Sequence, residues 1–324
     1  MDPVLFPNDD AFLLVPEEPH DIFLNYRKRP YHESLFRDIV KFLLKNSIIK
    51  GNIIDLGAWI GDNSAPWAKV REGIVYAIDP SDKNCKYINE VARLNGLKNL
   101  IVIKSAISDK DEIVSTNDNI GHASFHQDLS GHVKVTSTSL DNLYLNNTIK
   151  NIDFIHLDVE GMELLVLKGA RGLISKERPI IVYEIHLQLL VESNNEIKNL
   201  LKEWNYNIYL MNEVLPGCRT DCRNILSVPI EKDDDIINKL NNYLNTFNYI
   251  ICLHVNDRFE VLKFTDASKA YHTFMLLNGG DYACILMKVD DFKILKSYGI
   301  QSYVDACVNH CKSIKKRNDY FIQL

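Results

Sequence analysis

"NIIDLGAWIGDNS", Asn52 to Ser64, is the stretch on which the fold turns. Its opening residues are almost wholly apolar, as in a strand buried on both faces. It then stops at Gly57, passes a second glycine at Gly61, and leads into an amphipathic run that reads as a helix. Glycines at 57 and 61 let a turn take dihedrals and close backbone approaches that a Cβ would obstruct, so a ligand could sit against the main chain above the strand.

The spacing is G-x-x-x-G and not the G-x-G-x-x-G of dinucleotide sites, and Trp59 stands where the pyrophosphate-admitting glycine would be. A diphosphate would be crowded there. A ligand without phosphate, such as S-adenosylmethionine, would not.

Working outward, four more short apolar runs follow: GIVYAID, LIVIKSAI, IDFIHLD and PIIVYEIH. Helical patterns lie between most of them, which predicts a doubly wound, mostly parallel α/β sheet covered on both faces. GIVYAID ends at Asp79, placed to accept hydrogen bonds from both hydroxyls of a ribose; capping of the next helix from Asp79-Pro80-Ser81-Asp82 is the competing reading. LIVIKSAI ends Ser105-Ala106-Ile107-Ser108-Asp109, where an adenine would lie if a ligand crossed the switch point of the sheet.

The fourth run carries Asp158 and Glu160 at its end, then Gly161 and a helix bearing Glu163. Carboxylates are costly to bury unless paired or used, so this block is a candidate site, with Glu163 read as a helix-dipole partner. The fifth run ends Tyr183-Glu184-Ile185-His186. His186 is the candidate general base, Glu184 its orienting partner, and Asp158 and Glu160 the acids facing the acceptor. Strand alternation puts Glu184 and His186 on one face; if a helix covers that face, both are structural.

Flanking this core, residues 1–34 read as an irregular arm or lid, 35–230 as the Rossmann-like domain and 231–324 as a small α+β extension. Asp141 reads as the N-cap of a short helix. His122 and His126 lie on a polar stretch that could rim the site.

Composition bounds the rest. The 324 residues are 46% hydrophobic and 25% charged, with a net charge of −6. That balance gives no general attraction to nucleic acid or anionic membrane. No apolar run approaches the roughly 20 residues that span a bilayer, and the first residues lack the pattern of a secretory signal, so a cytoplasmic protein is expected. Seven cysteines suggest reduced thiols; the pairs Cys218/Cys222 and Cys307/Cys311, with His310 beside the latter, have only a loose zinc spacing.

"NIIDLGAWIGDNS", "AIDP", "KSAISD", "TSTSLDNL", "IDFIHLDVEGMELLVLKGA" and "RPIIVYEIH", in this order, resemble the FkbM family of S-adenosylmethionine-dependent methyltransferases. The resemblance spans about Ile53 to His186. It implies a class I, Rossmann-like methyltransferase domain and O-methylation of a sugar or other natural-product hydroxyl. By position it implies that Asp55, Gly57, Ala58, Gly61, Asn63 and Ser64 wrap the methionine end. Asp79 and Pro80 would then hold the ribose, Ser105, Ala106 and Ile107 flank the adenine, and Asp158 border both sites. His156 departs from the lysine the family more often has there.

The competing functions are an RNA ribose 2′-O-methyltransferase, for which Lys168 and Lys176 are poorly spaced, and a non-catalytic cofactor-binding interaction protein. A divalent cation could bind between Asp158 and Glu184, though nothing in the sequence requires one. The acceptor is expected to be a small molecule or carbohydrate; the sequence leaves its identity and the oligomeric state undetermined.

Overall fold

A computed structural model describes residues 4–8, 10–15, 33–116, 125–126, 133–186, 191–211, 222–244, 246, 249–255, 258–264, 270, 274, 283–288, 293–298, 301, 304–305, 307–309 and 321–324. Its elements begin with β1 (Val4–Asn8), β2 (Ala11–Val15), α1 (Ser34–Lys45), β3 (Asn52–Leu56), α2 (Ser64–Lys69), β4 (Val75–Asp79) and α3 (Asp82–Asn95). Next come β5 (Leu100–Lys104), β6 (Ala106–Ile107), β7 (Glu112–Thr116), β8 (Phe125–His126), β9 (Val133–Thr138), α4 (Leu140–Leu145), β10 (Ile152–Leu157), α5 (Glu163–Lys168) and α6 (Arg171–Glu177). They continue with β11 (Ile180–His186), α7 (Val191–Glu203), β12 (Tyr206–Met211), β13 (Cys222–Pro229) and α8 (Ile230–Leu244). The last are β14 (Tyr249–Val255), β15 (Arg258–Phe264), β16 (Ala283–Lys288), β17 (Lys293–Tyr298) and β18 (Phe321–Gln323).

The central sheet has eight strands in the order β18-β12-β13-β11-β10-β3-β4-β5. From β5 to β11 every pair is parallel; β13 then runs antiparallel to both β11 and β12. This is a Rossmann-like, class I arrangement. The strand order reverses between β3 and β10, so the C-terminal ends of these two neighbours open the crevice in which such sheets bind ligands.

Alternation sorts the strand residues into two cores. Ile53, Phe154 and Val182 face Phe36 and Ile39 of α1, Trp67 of α2 and Ile88 of α3. Ile54, Ile155 and Ile181 face Leu140 of α4, Val166 of α5, Leu173 of α6 and Leu201 of α7. Helix α3 is bounded as its sequence dictates: the Ser81 hydroxyl accepts the Asn84 N–H, and Gly96 closes the other end at φ +65°.

Segments near both ends of the chain join the first core. Within the arm, β1 and β2 form an antiparallel hairpin, and Ala11 and Leu13 of β2 are buried in the first core. Beyond residue 230, Ile236 and Leu240 of α8 complete that same core, while β18 pairs with β12. Strands β14 to β17 form a separate sheet in the order β15-β14-β16-β17, as β6 to β9 do in the order β6-β9-β7-β8. Strand β16 pairs with β14 and β17.

Candidate active site

The glycine turn after β3 is stitched to the strands on both sides. The N–H groups of Gly57 and Ala58 reach the Ile78 carbonyl of β4 at 3.0 and 3.3 Å, and the Asp158 N–H reaches the Leu56 carbonyl at 3.1 Å. Gly57 has φ +74°, and an ideal Cβ there would lie 1.8 Å from the Asp158 carbonyl oxygen. The close approach of two backbones therefore demands glycine at 57, before any ligand is considered.

Asp79 ends β4 beneath this turn and is buried. One carboxylate oxygen accepts the Trp59 N–H at 3.0 Å; the other accepts the Ser81 N–H at 2.8 Å and the Asn84 amide at 3.1 Å. Burial pushes the carboxyl up to about 6, against the downward pull of those three hydrogen bonds. Trp59, held at φ +47°, is thus fixed to the acid expected to take the ribose.

Asp55 is 1% exposed, with both oxygens on protein partners. One takes the Ser64 hydroxyl, and the other bonds His156 Nδ1 at 2.8 Å. His156 is also buried, stacked on Phe36 with ring centroids 5.0 Å apart and edge-on to Trp67. His156 thus ties β10 to the strand below the glycine turn, and Asp55 and Ser64 underpin that turn from inside the core.

At the end of β10 the chain bends through two left-handed residues, Glu160 at φ +52° and Gly161 at φ +98°. Glu163, buried at the start of α5, folds back so that one carboxylate oxygen accepts the N–H groups of Val159 and Gly161 at 3.1 and 3.3 Å. Burial raises its pKa. Glu163 therefore braces the acidic loop, leaving Asp158 half-buried and Glu160 exposed on its outer side.

One strand further, Glu184 and His186 lie on the same face as Val182, the face packed by α1. Both are buried, with His186 Nε2 3.8 Å from a Glu184 oxygen. Directly across the antiparallel ladder stand Asn224, opposite Glu184, and Cys222, opposite His186, an adjacency that the sequence does not indicate. The Cys222 sulfur is 3.5 Å from His186 Nδ1, and the Asn224 amide donates to Glu33 at the start of α1 at 2.8 Å. Only the recognition of β13 as a strand would have revealed them.

The family model of the methyltransferase FkbM domain matches residues 55–208, a span that includes the glycine turn, Asp79, the acidic loop and the Glu184–His186 strand end. Residues 55–208 form an FkbM methyltransferase domain. Among solved structures, the chain is similar to the methyltransferase FkbM of Methylobacillus flagellatus, at 22% identity over 54% of this chain and 43% of that one, with a TM-score of 0.41. It is also similar to a SAM-dependent methyltransferase of Aquifex aeolicus, at 18% identity over 65% and 98% of the two chains, TM-score 0.39. A third is the magnesium protoporphyrin IX methyltransferase of Synechocystis with bound SAM, at 14% identity over 66% and 86%, TM-score 0.40. The chain spans less than half of the Methylobacillus protein's length. No protein of curated function matches it.

Within the FkbM domain, the "LKGA" block has a packing cause. A Cβ on Gly169 would lie 2.2 Å from the Ser108 carbonyl oxygen, so the end of α5 presses on the loop expected to flank an adenine. In that loop the Ser105 N–H reaches the Asp79 carbonyl at 3.2 Å, and Ala106–Ile107 pair with Ser137–Thr138 of β9.

Asp141 has a different task from the one expected. Ser139, in extended backbone, caps α4 by accepting the Asn142 N–H, while Asp141 already lies inside that helix. Its two oxygens instead accept the N–H groups of Gly172 and Leu173, capping α6 across the loop. His122, Cys218, His310 and Cys311 lie outside the described residues.

Proposed function

We propose that the chain is an S-adenosylmethionine-dependent O-methyltransferase acting on a hydroxyl of a sugar or glycan precursor. The observation that carries this reading is the junction of the glycine turn with the acid-bearing end of β10 through the Asp158–Leu56 hydrogen bond at the switch point of the sheet. The residues around the turn fit the cofactor. Two buried oxygens there, Asn63 Oδ1 at the start of α2 and Asn84 Oδ1 beside Asp79, have no hydrogen-bond partner among the described residues. Buried acceptors of this kind are costly unless a ligand donor meets them.

In this reading the main chain from Gly57 through Gly61 receives the methionine end, with Ala58, Asn63 and the Ser64–Asp55–His156 bridge holding its shape. Asp79 accepts from the ribose hydroxyls beside Pro80, while Ser105, Ala106 and Ile107 border the adenine. When bound, the cofactor supplies an electrophilic methyl group on a sulfonium that leaves as a thioether. The chain's own tasks are to align an acceptor oxygen with that methyl and to take the hydroxyl proton.

Although α1 packs this face at Val182, which by the alternation argument makes the inner part of it structural, His186 is the last residue of β11, and in this reading it takes that proton at a ring nitrogen while Glu184 orients it. Asp158 and Glu160 bind the acceptor's hydroxyls, as carboxylates at a sugar site do. The acidic net charge and the engagement of Lys168 with Glu196 and of Lys176 over the Tyr144 ring favour this acceptor over an RNA backbone. Also, no helix among the described residues is long and apolar enough to cross a membrane.

The test is incubation with methyl-labelled S-adenosylmethionine and a panel of free sugars, nucleotide sugars and capped RNA. Label in a sugar fraction supports the reading, and label in RNA alone replaces its acceptor. Cofactor binding with no label anywhere would make the chain a non-catalytic binder.

A further inference from the structure

We propose that Glu184, His186 and Cys222 form a binding site for a divalent transition-metal ion of the zinc class. This goes beyond the methyltransferase reading and does not depend on it. The three side chains come from two directly paired antiparallel strands, and one donor atom from each lies within 4.8 Å of the others. Tetrahedral zinc with bonds of 2.0–2.3 Å places its ligand atoms about 3.5 Å apart. The Cys222 Sγ to His186 Nδ1 distance is 3.5 Å, and that from His186 Nε2 to the Glu184 carboxylate is 3.8 Å.

Those two contacts use different ring nitrogens, so an ion held by one nitrogen requires the carboxylate or the ring to turn toward it. The sheet supplies the rigidity such a site needs. Glu184 and His186 are alternate residues of β11 on one face, and Cys222 is the cross-strand partner of His186 on that same face.

The donor chemistry argues for a borderline-soft cation. A thiolate, an imidazole and a carboxylate are the ligand types of zinc, and a thiolate disfavours magnesium or calcium. Thiolate and carboxylate together neutralise a divalent charge, which offsets their burial at 1% and 7% exposure. A second, independent feature lies beside them. Asn224, 2% exposed and directly across from Glu184, donates through its nitrogen to Glu33, while its Oδ1 is buried without a hydrogen-bond partner among the described residues. It is a further oxygen donor at the same patch.

With an ion bound the imidazole is a ligand, so proton acceptance at His186 belongs to the ion-free protein. Cys222→Ser removes the thiolate ligand while leaving the imidazole and the carboxylate in place.

The experiment uses the full chain, stripped with a chelator and titrated with Co²⁺ as the probe. The expected result is saturation at one equivalent, with a near-ultraviolet thiolate-to-cobalt band and intense visible bands of four-coordinate cobalt. Cys222→Ser should abolish the near-ultraviolet band, and Glu184→Gln should weaken Co²⁺ binding at least ~10-fold. Circular dichroism and S-adenosylhomocysteine binding confirm that each variant is folded. No saturable spectrum in the parent chain, or a band that persists unchanged in Cys222→Ser, overturns the proposal. If Cys222→Ser does not fold, the Glu184→Gln titration decides it, and unaltered affinity there is refuting. Because S-adenosylhomocysteine binding is read separately, loss of the metal claim leaves the methyltransferase reading standing, and the reverse also holds.

Discussion

The carbonyl oxygen of Asp158 occupies the space into which any side chain on Gly57 would project, 1.8 Å from the position of its Cβ. Two neighbouring strand ends, 101 residues apart in the chain, thereby share one wall, and the size of residue 57 sets how closely they approach. Gly57→Ala should destabilise the protein by roughly 3 kcal/mol or more, since a backbone clash adds to the strain of φ +74°. Gly96→Ala is the control: φ is +65°, but nothing lies within 4 Å, so the cost should stay near ~1 kcal/mol. Denaturant melts of both variants check this; equal losses would refute the shared wall.

The raised pKa of Asp79 gives cofactor binding a pH signature. Its carboxyl titrates near 6 in the folded chain and at an ordinary 3.8 when unfolded. The native state therefore holds an extra proton between these values, and Asp79 lowers stability progressively as pH rises from about 4 to about 6, by roughly 3 kcal/mol in total. Ribose hydroxyls donating to the ionised acid would recover part of that cost. Affinity for S-adenosylhomocysteine should accordingly fall up to ~10-fold per unit as pH drops below about 6. Asp79→Ala should bind at least ~10-fold more weakly at pH 7.5. Calorimetric titration from pH 5 to 8 measures both, and a flat profile in the parent chain would exclude Asp79 as the ribose acceptor.

Gly169 should influence binding without touching the ligand. A methyl group at 169 would meet the Ser108 carbonyl at 2.2 Å and displace the loop that borders the adenine. Gly169→Ala should therefore weaken S-adenosylhomocysteine binding several-fold and lower stability by about 1–3 kcal/mol. Titration alongside thermal melting distinguishes the two effects; a stability loss with unchanged affinity would detach this loop from the binding site.

His186 should separate binding from turnover. His186→Ala is expected to keep cofactor affinity within a few-fold and to slow single-turnover methyl transfer to the acceptor found in the labelled panel by ~10²–10⁴. An unchanged rate would remove the imidazole from proton transfer.

Asp141 tests a cap that crosses between two helices. Its carboxylate serves the first amides of Arg171–Glu177, so Asp141→Ala should cost about 1–2 kcal/mol in equilibrium unfolding. A change inside ±0.3 kcal/mol would show that those amides find other partners.

The sequence by itself determined the strand-turn-helix rhythm, the five parallel strands, and the adjacency of the glycine turn to the acidic block. Each follows from local properties: apolar runs of strand length, glycine where a turn needs it, and carboxylates where a strand ends. It did not disclose β12, β13 or the return of β18 to the sheet edge, because antiparallel strands near the end of a sheet carry no signal that names their partners. For the same reason Cys222 and Asn224 were invisible as neighbours of His186 and Glu184, being set by cross-strand register between strands that α7 and β12 separate in the chain.

Tertiary structure alone decided which acids face inward. Asp55, expected beside the methionine end, has its oxygens on Ser64 and His156, and Glu163, expected to pair with its helix dipole, accepts loop amides. A buried carboxylate takes whichever hydrogen-bond donors the fold brings within reach, and that choice depends on residues far away in the chain.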